Sequence, residues 1–175
     1  MQTHVHKLHV KNCDENGCFS GYASIFNIQD SQGDVVMKGA FQKSLKTWHQ
    51  QNKWPKMLWQ HDAGQPIGFW TDIYEDQHGL FVMGQLMLDL QKGREAYALL
   101  KTGVIDSLSI GFRLIKSGRR PGGRFIQEVD LQEISLVTFA ANEQARVCDV
   151  KNAFGLGAER WLQRLLDLQR LLMTA

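Results

Sequence analysis

Residues 67–88 decide the fold, and they read IGFWTDIYEDQHGLFVMGQLML. Residues 67–74 and 80–88 are rich in β-branched and aromatic side chains, which favour β-strands. Between them, residues 75–79 have the polar composition of a turn. The segment therefore predicts a β-hairpin with a five-residue loop, and with it a sheet in which sequential strands lie antiparallel.

Further runs of the same composition extend this sheet. They predict strands at residues 5–10, 19–26, 57–61, 108–115 and 125–137, which makes about seven strand regions. Apolar residues at helical spacing predict short amphipathic helices at residues 40–49 and 93–101. Few helices among many strands, without regular alternation, favour a mainly β (α+β) fold: an antiparallel β-barrel of about seven strands with flanking helices.

The C-terminal part of the chain has a different pattern. Residues 159–173 place six leucines and a tryptophan on a broad apolar face, which predicts an amphipathic helix. We expect a β-barrel domain over residues 1–152 and a C-terminal helix within 153–175 that serves packing or oligomerisation. Two segments are expected to be flexible: a long hairpin tip at residues 116–124, KSGRRPGGR, and the joint at residues 152–157.

Composition and charge argue against several classes of protein. The 175 residues, 43% hydrophobic and 22% charged, are typical of a soluble globular domain. The net charge of +2 includes no basic block longer than Arg119-Arg120, so we expect no nucleic-acid partner. No long apolar run and no signal-peptide pattern occur, so we expect neither a membrane span nor export. Three cysteines without CxxC spacing favour a reducing, cytoplasmic compartment.

Two residues are candidates for nucleophilic chemistry. His61 ends an apolar run and precedes a turn, where a rigid strand can present a catalytic group; taken alone, a histidine in such a position more often caps the strand or faces solvent. Ser109 lies in SLSIGF, where alternation puts it on one face with Ser107 and Gly111. A face of small residues leaves space that either a peptide or a packed neighbouring element can fill.

Glu133 is the third candidate. In residues 131–137, LQEISLV, alternation puts Glu133 and Ser135 on a largely apolar face. Burying a carboxylate without a partner is costly, so Glu133 requires one. An imidazole that must be oriented is one possible partner, and an arginine or lysine is the other.

A metal or cofactor site has little support. Three histidines and two cysteines lie close together near the N-terminus, but their spacing matches no structural zinc pattern. No GxGxxG, GxxxxGK[ST] or GxSxG pattern occurs, so nucleotide-dependent chemistry and the α/β-hydrolase arrangement lack support. We expect no cofactor and no metal. The residues concerned are His4, His6, His9, Cys13 and Cys18.

Five short segments, taken in order, resemble the prohead (capsid maturation) proteases of tailed bacteriophages. No one of them is specific, but together they cover roughly residues 18–147. One departure is visible, because Ala141 stands where that family usually has proline. The segments are GYASIF at 21–26, GD with GAF at 33–34 and 39–41, WQH with PIG at 59–61 and 66–68, SLSIGF at 107–112, and EISLVT at 133–138 with Asn142.

This resemblance implies a function and a set of roles. Prohead proteases are similar to the herpesvirus assembly proteases, which are β-barrel serine proteases with a histidine base. Carried over by position, the nucleophile falls on Ser109, the base on His61 and the acidic third member on Glu133. The resemblance leaves the oxyanion stabiliser open between backbone N–H groups and Arg146.

The resemblance also implies substrates and a location. It predicts a serine endopeptidase that cleaves scaffold and major capsid protein segments, and itself, inside the assembling prohead in the cytoplasm of the bacterial host. Self-association into a homo-oligomer is expected, because the herpesvirus relatives work as dimers. Two other functions stay open: a non-catalytic capsid-assembly or scaffold protein that keeps the fold, and a metal-dependent hydrolase that uses the N-terminal histidines.

Overall fold

A computed structural model describes residues 16–148 of the chain. The strand expected at 5–10, the helix expected at 159–173 and the division at residue 152 lie outside the described residues. Within residues 16–148 the chain forms eight strands and two helices: β1 Cys18–Ile25, β2 Asp34–Val36, α1 Gln42–Gln50, β3 Lys56–Trp59, β4 Asp62–Glu75, β5 Gly79–Leu86, α2 Gln91–Thr102, β6 Ser107–Arg120, β7 Gly123–Val137 and β8 Val147–Cys148.

The mainly β fold with flanking helices is confirmed. Every strand predicted between residues 19 and 137 is present, as are both helices, with bounds that differ by a few residues. The sequence did not predict β2 and β8, because strands of three and two residues are too short to show alternation. Within residues 16–148, no helix combines the length and the apolarity that crossing a bilayer requires.

Two loop predictions were wrong in length. β4 and β5 are joined by three residues, 76–78, rather than by five. The long tip expected at 116–124 is a continuation of the β6–β7 ladder, closed by Pro121 and Gly122 alone. Gly122 has φ +78°, which the second central position of a type II turn requires after proline. The polar composition that predicted a loop belongs instead to strands that are exposed to solvent.

β7 is the central strand of the sheet. β7 pairs with three strands: β6 along one edge, and β2 and β3 at successive positions along the opposite edge. From β3 the sheet continues in the order β4-β5-β1-β8. The ladders of β2 and β3 with β7 are parallel, whereas the other ladders between these strands are antiparallel. The prediction of antiparallel pairing is thus corrected at two ladders. The physical reason for this difference is that α1 connects β2 to β3 as a crossover, so that both strands run in the same direction beside β7.

The end of the sheet formed by β1 and β8 curls back towards β6. The Leu108 N–H donates to the Ala145 carbonyl at 2.9 Å, and the Val147 N–H donates to the Asp106 carbonyl at 2.8 Å. Because the segment at 145–148 also pairs with β1, these bonds join the two ends of the sheet. The result is a barrel-like sheet around one apolar core.

The start of α1 is capped by a carboxylate from another element. Oε2 of Glu75, the last residue of β4, accepts the N–H of Gly39 at 3.1 Å, and its Oε1 accepts the N–H of Phe41 at 2.8 Å. A negative charge at a helix N-terminus satisfies free N–H groups and interacts favourably with the helix dipole. Phe41 and Leu45 then bury their side chains in the core.

α1 is also bonded directly to β7. The Ser44 hydroxyl accepts the Leu131 N–H at 2.9 Å, and Nε1 of Trp48 donates to the Leu131 carbonyl at 2.9 Å. Leu131 is completely buried, so both bonds lie away from bulk solvent. They fix the position of β7 two residues before Glu133.

Candidate active site

The β6–β7 ladder places the candidate serine and the candidate acid on one face. Ser109 lies opposite Ser135, and Gly111 lies opposite Glu133. Residues directly opposite one another in an antiparallel pair point to the same side, with their Cβ atoms about 4.5–5.5 Å apart. Ser109, Ser135 and Glu133 therefore share a face, as the alternation in the two segments predicted.

His61 reaches this face from the turn between β3 and β4. Gln60 and His61 have φ +52° and +61°, a left-handed conformation that costs a non-glycine residue about 1–2 kcal/mol. Three hydrogen bonds to β7 and the residue after it compensate for this cost. The Gln60 N–H donates to the Leu136 carbonyl at 3.0 Å, while its side-chain amide donates to the Thr138 hydroxyl at 2.8 Å and accepts the Thr138 N–H at 3.2 Å.

The imidazole of His61 is paired with Glu133. Nδ1 of His61 lies 2.6 Å from Oε1 of Glu133, and the two side chains are 42% and 13% exposed. Within residues 16–148 Glu133 forms its ion pair with His61, and not with an arginine or a lysine. The hydrogen bond to Glu133 raises the pKa of His61 above its usual value; partial burial opposes the shift, and the charge of Glu133 adds to it. Because Nδ1 is occupied, Nε2 is the ring nitrogen available for proton transfer.

Ser135 connects the histidine and the acid. Its side chain is completely buried; its hydroxyl donates to Oε2 of Glu133 at 2.6 Å and accepts the N–H of His61 at 3.2 Å. Each Glu133 oxygen thus has its own partner, and the backbone at His61 is fixed to the same strand. The sequence placed Ser135 on one face with Glu133 but assigned it no role in the site. The available signal was the Glu133-x-Ser135 spacing, which puts an acid and a hydroxyl side by side on one face of a strand.

Gly111 provides the space that the Glu133 carboxylate occupies. A Cβ atom at position 111 would lie 2.0 Å from Oε1 and 2.7 Å from Cδ of Glu133. Real Cβ atoms do not approach other heavy atoms so closely, so any larger residue would displace the carboxylate. The small-residue face predicted for β6 is therefore filled, at this position, by the acid.

A cavity of about 140 Å³ connects His61 with Ser109, and both residues line it. Among the hydrogen bonds of the described residues, none joins the Ser109 hydroxyl to the His61 ring. Bonds between nucleophile and base are often long before substrate is bound and tighten in the complex. The structure therefore brings the three predicted residues to one site, with the acid and base already paired.

Other candidates do not line this cavity. Arg146 donates from Nη1 to both carboxylate oxygens of Asp106 at 2.7 Å and from Nε to the Glu143 carbonyl at 3.1 Å, and its role as oxyanion stabiliser stays a prediction. In the described part of the chain, no three histidine, cysteine or acidic side chains are grouped as metal ligands would be. Four of the five residues considered for a metal precede residue 16 and lie outside the described residues; the fifth, Cys18, is on β1.

The fold is similar to that of the capsid assembly protease of bacteriophage T4, which superposes with a TM-score of 0.58 at 14% identity, covering 69% of this chain and 80% of that one. A family model described as the caudovirus prohead serine protease matches residues 6–156, and the chain belongs to this family.

Curated relatives agree with this membership. The prohead protease of Enterobacteria phage HK97 is 34% identical over 164 residues, which cover 89% of this chain and 72% of that protein. The capsid polyprotein of Pseudomonas phage PAJU2 is 32% identical over 148 residues, which cover 79% of this chain but only 21% of that protein. The chain is thus a protease of the phage prohead type.

Proposed function

We propose that this chain is a serine endopeptidase in which Ser109 is the nucleophile, His61 the general base and Glu133 the residue that orients the base. The observation that carries the proposal is the bond of 2.6 Å between Nδ1 of His61 and Glu133, beside a cavity that Ser109 also lines. An acid bound to Nδ1 fixes the imidazole tautomer and leaves Nε2 to accept a proton. This is the arrangement that a serine nucleophile needs in order to react near neutral pH.

The reaction follows from this geometry. The Ser109 hydroxyl attacks the substrate carbonyl as its proton passes to Nε2 of His61, and the imidazolium then returns the proton to the leaving amine. Glu133 stabilises the imidazolium through its charge, while Ser135 holds the second carboxylate oxygen. Water enters next and attacks the acyl carbonyl as one of its protons passes to Nε2 of His61; the imidazolium then returns this proton to the Ser109 oxygen as the ester bond breaks and the carboxylic acid leaves.

Membership of the family supports an assignment of the substrates. We infer that the chain cleaves scaffold and major capsid protein segments, and itself, within the assembling prohead in the host cytoplasm. Support comes from the PAJU2 relative, because a region similar to this chain forms part of a protein named a capsid polyprotein. Self-association into a homo-oligomer stays a prediction.

A paired comparison of serines tests the nucleophile. The full chain would be co-expressed with its own major capsid protein as wild type, Ser109→Ala and Ser107→Ala, and the products followed by mass spectrometry. Ser107 is the matched control, since it lies two residues away on β6 and pairs with Val137 in the same ladder. We expect cleavage by wild type and Ser107→Ala and none by Ser109→Ala.

A fluorophosphonate probe, which reacts with activated serines, tests the same assignment without a protein substrate. We expect the label on Ser109 of the wild type and no label on Ser109→Ala. Equal processing of capsid protein by wild type and Ser109→Ala would refute the nucleophile. Shell association by a wild-type chain that neither cleaves nor takes the label would favour the non-catalytic assembly protein.

A further inference from the structure

The cavity beside Ser109 has features that the proposed mechanism does not use. Apolar side chains of β6 and β7, among them Leu108, Ile110 and Ile126, form part of its lining. Polar residues from β1 and the segment that follows it, Ser24 and Asp30, line it as well. Since a protein cavity of about 150 Å³ can hold a benzene molecule, a cavity of about 140 Å³ has room for roughly five or six non-hydrogen atoms. This is the size of one unbranched side chain.

Ser24 brings an unsatisfied hydroxyl to this cavity. The residue is 1% exposed, and its Oγ makes no hydrogen bond within the described part of the chain. Buried polar atoms in folded proteins nearly always have a partner, so either a water molecule or a group that binds in the cavity is expected to supply one here. Ser20, on the same strand, is equally buried and also without a partner, but it does not line the cavity.

The charges at the cavity leave one negative charge in excess. Asp34 lines it and is paired with the guanidinium of Arg124 through Nε at 2.9 Å. Asp30 uses Oδ1 to accept the N–H groups of Gln32 and Asp34, both at 2.9 Å, and its Oδ2 makes no hydrogen bond among the described residues. Two carboxylates therefore face one guanidinium, while His61 on the same cavity is paired with Glu133. An ammonium group would find here an excess negative charge and a hydroxyl acceptor.

We propose that this cavity is the binding pocket for a substrate side chain with an apolar stem and a cationic tip, lysine above all. The apolar lining contacts the methylene groups, the Ser24 hydroxyl accepts a hydrogen bond from the ammonium group, and Asp30 provides the charge. The pocket rests on the proposed function in one respect: it places that side chain next to the bond that Ser109 attacks.

Binding of a small probe tests the pocket apart from catalysis. The full-length Ser109→Ala protein would be titrated with Nα-acetyl-lysine N-methylamide and with the norleucine analogue, which has the same stem without the charge, and followed by amide NMR. We expect the lysine probe to shift the resonances of Ser24 and Asp30 and to bind about threefold to fivefold more tightly than norleucine, as for a partly exposed ion pair. Equal binding of the two probes, or shifts confined to another surface, would overturn the proposal.

Asp30→Asn isolates the charge. Asparagine keeps the oxygen that accepts the two backbone N–H groups and loses only the negative charge, so the loop at 30–34 is expected to keep its conformation. Asp72→Asn is the control, since Asp72 is also half-buried and does not line the cavity. We expect the lysine preference to disappear in Asp30→Asn and to persist in Asp72→Asn; loss in both, or in neither, contradicts the role of Asp30.

Peptide libraries test the pocket during cleavage. Wild type is expected to cleave lysine-containing pools in preference to norleucine pools, and Ser24→Ala is expected to reduce this ratio about threefold while Ser20→Ala leaves it unchanged. Cleavage without any lysine preference refutes the pocket and leaves Ser109 as the nucleophile. A wild-type chain that cleaves no pool refutes the proposed function, and the probe titration then decides the pocket by itself.

Discussion

Glu133→Gln removes the charge that holds His61 and nearly preserves the shape of the side chain. A hydrogen bond to a charged group contributes about 1.5–3 kcal/mol, and each 1.36 kcal/mol in a barrier is a factor of ten in rate. Loss of this interaction is therefore expected to slow the reaction of Ser109 by about tenfold to 150-fold. Because the His61 side chain is 42% exposed, solvent screening places the effect in the lower half of this range.

Glu133→Gln is also expected to change how the reactivity of Ser109 depends on pH. In the wild type the pKa of His61 is raised, mainly by the hydrogen bond to Glu133, so the neutral base forms only above the usual imidazole range. Reactivity is expected to rise with pH through an inflection above ~6.5. In Glu133→Gln partial burial remains and lowers the pKa, so the inflection moves to a lower pH. The ratio of wild-type to variant rates should then shrink as the pH falls.

The contribution of the His61–Glu133 pair to the free energy of unfolding decreases as the pH rises, whereas the reactivity increases. Because the folded-state pKa of His61 is raised, the contribution is fully present below the unfolded pKa of ~6.5 and is lost as the pH rises through the folded value. Glu133→Gln should therefore lower thermal stability more at acidic than at alkaline pH. The pair is thus expected to stabilise the fold in the protonation state in which, by the proposed mechanism, His61 cannot accept a proton.

The measurement is the second-order rate of fluorophosphonate labelling of Ser109 from acidic to alkaline pH. The control is Glu128→Gln, since Glu128 also lies on β7 but is paired with Lys43 at 2.7 Å on the exposed side. A Glu133→Gln variant that reacts at the wild-type rate with the wild-type inflection would show that Glu133 does not orient His61. Equal losses in both variants would indicate a general effect of charge on β7.

The remaining predictions concern residues that support the site. Ser135→Ala is expected to lower the labelling rate about tenfold and to lower the inflection of its pH profile, because Glu133 loses one of its bonds; an unchanged pH profile would mean that Ser135 only packs. Gly111→Ala is expected to abolish labelling while Gly118→Ala, which meets only a glutamine nitrogen at 3.9 Å, retains it; equal activities would contradict the tight contact at Gly111. Glu75→Ala is expected to destabilise the fold by about 1 kcal/mol through loss of the cap on α1, seen as a lower denaturation midpoint at unchanged slope.

Composition and periodicity predicted those parts of the fold that depend on local pattern. The hairpin at 67–88, the long strands at 108–115 and 125–137, and both helices are present because β-branched runs and helical spacing persist over enough residues to be read. The parallel ladders of β2 and β3 with β7 could not be predicted in this way. They depend on where α1 returns the chain, which is a property of tertiary packing rather than of any one segment.

The same distinction applies to the site. Alternation placed Ser109 on one face of its strand and Glu133 with Ser135 on one face of another, and the ladder brings these faces together. What alternation could not show is the register that sets Gly111 against Glu133, since a shift of one residue would turn every side chain to the opposite face. It also could not show the left-handed turn that carries His61, because positive φ is uncommon for glutamine and the enrichment of histidine there is too weak to mark a turn.

The geometry of the site depends on a single strand. β7 supplies Glu133 and Ser135, accepts the bond that holds the His61 turn, and sets the register of Ser109 on β6. α1 holds the same strand at Leu131. The acid and base therefore need no rearrangement to meet, because both are bonded to one rigid element before substrate arrives. In the proposed mechanism only the contact from Nε2 to the Ser109 hydroxyl remains to form, and a peptide bound in the cavity that both residues line would be in place to complete it.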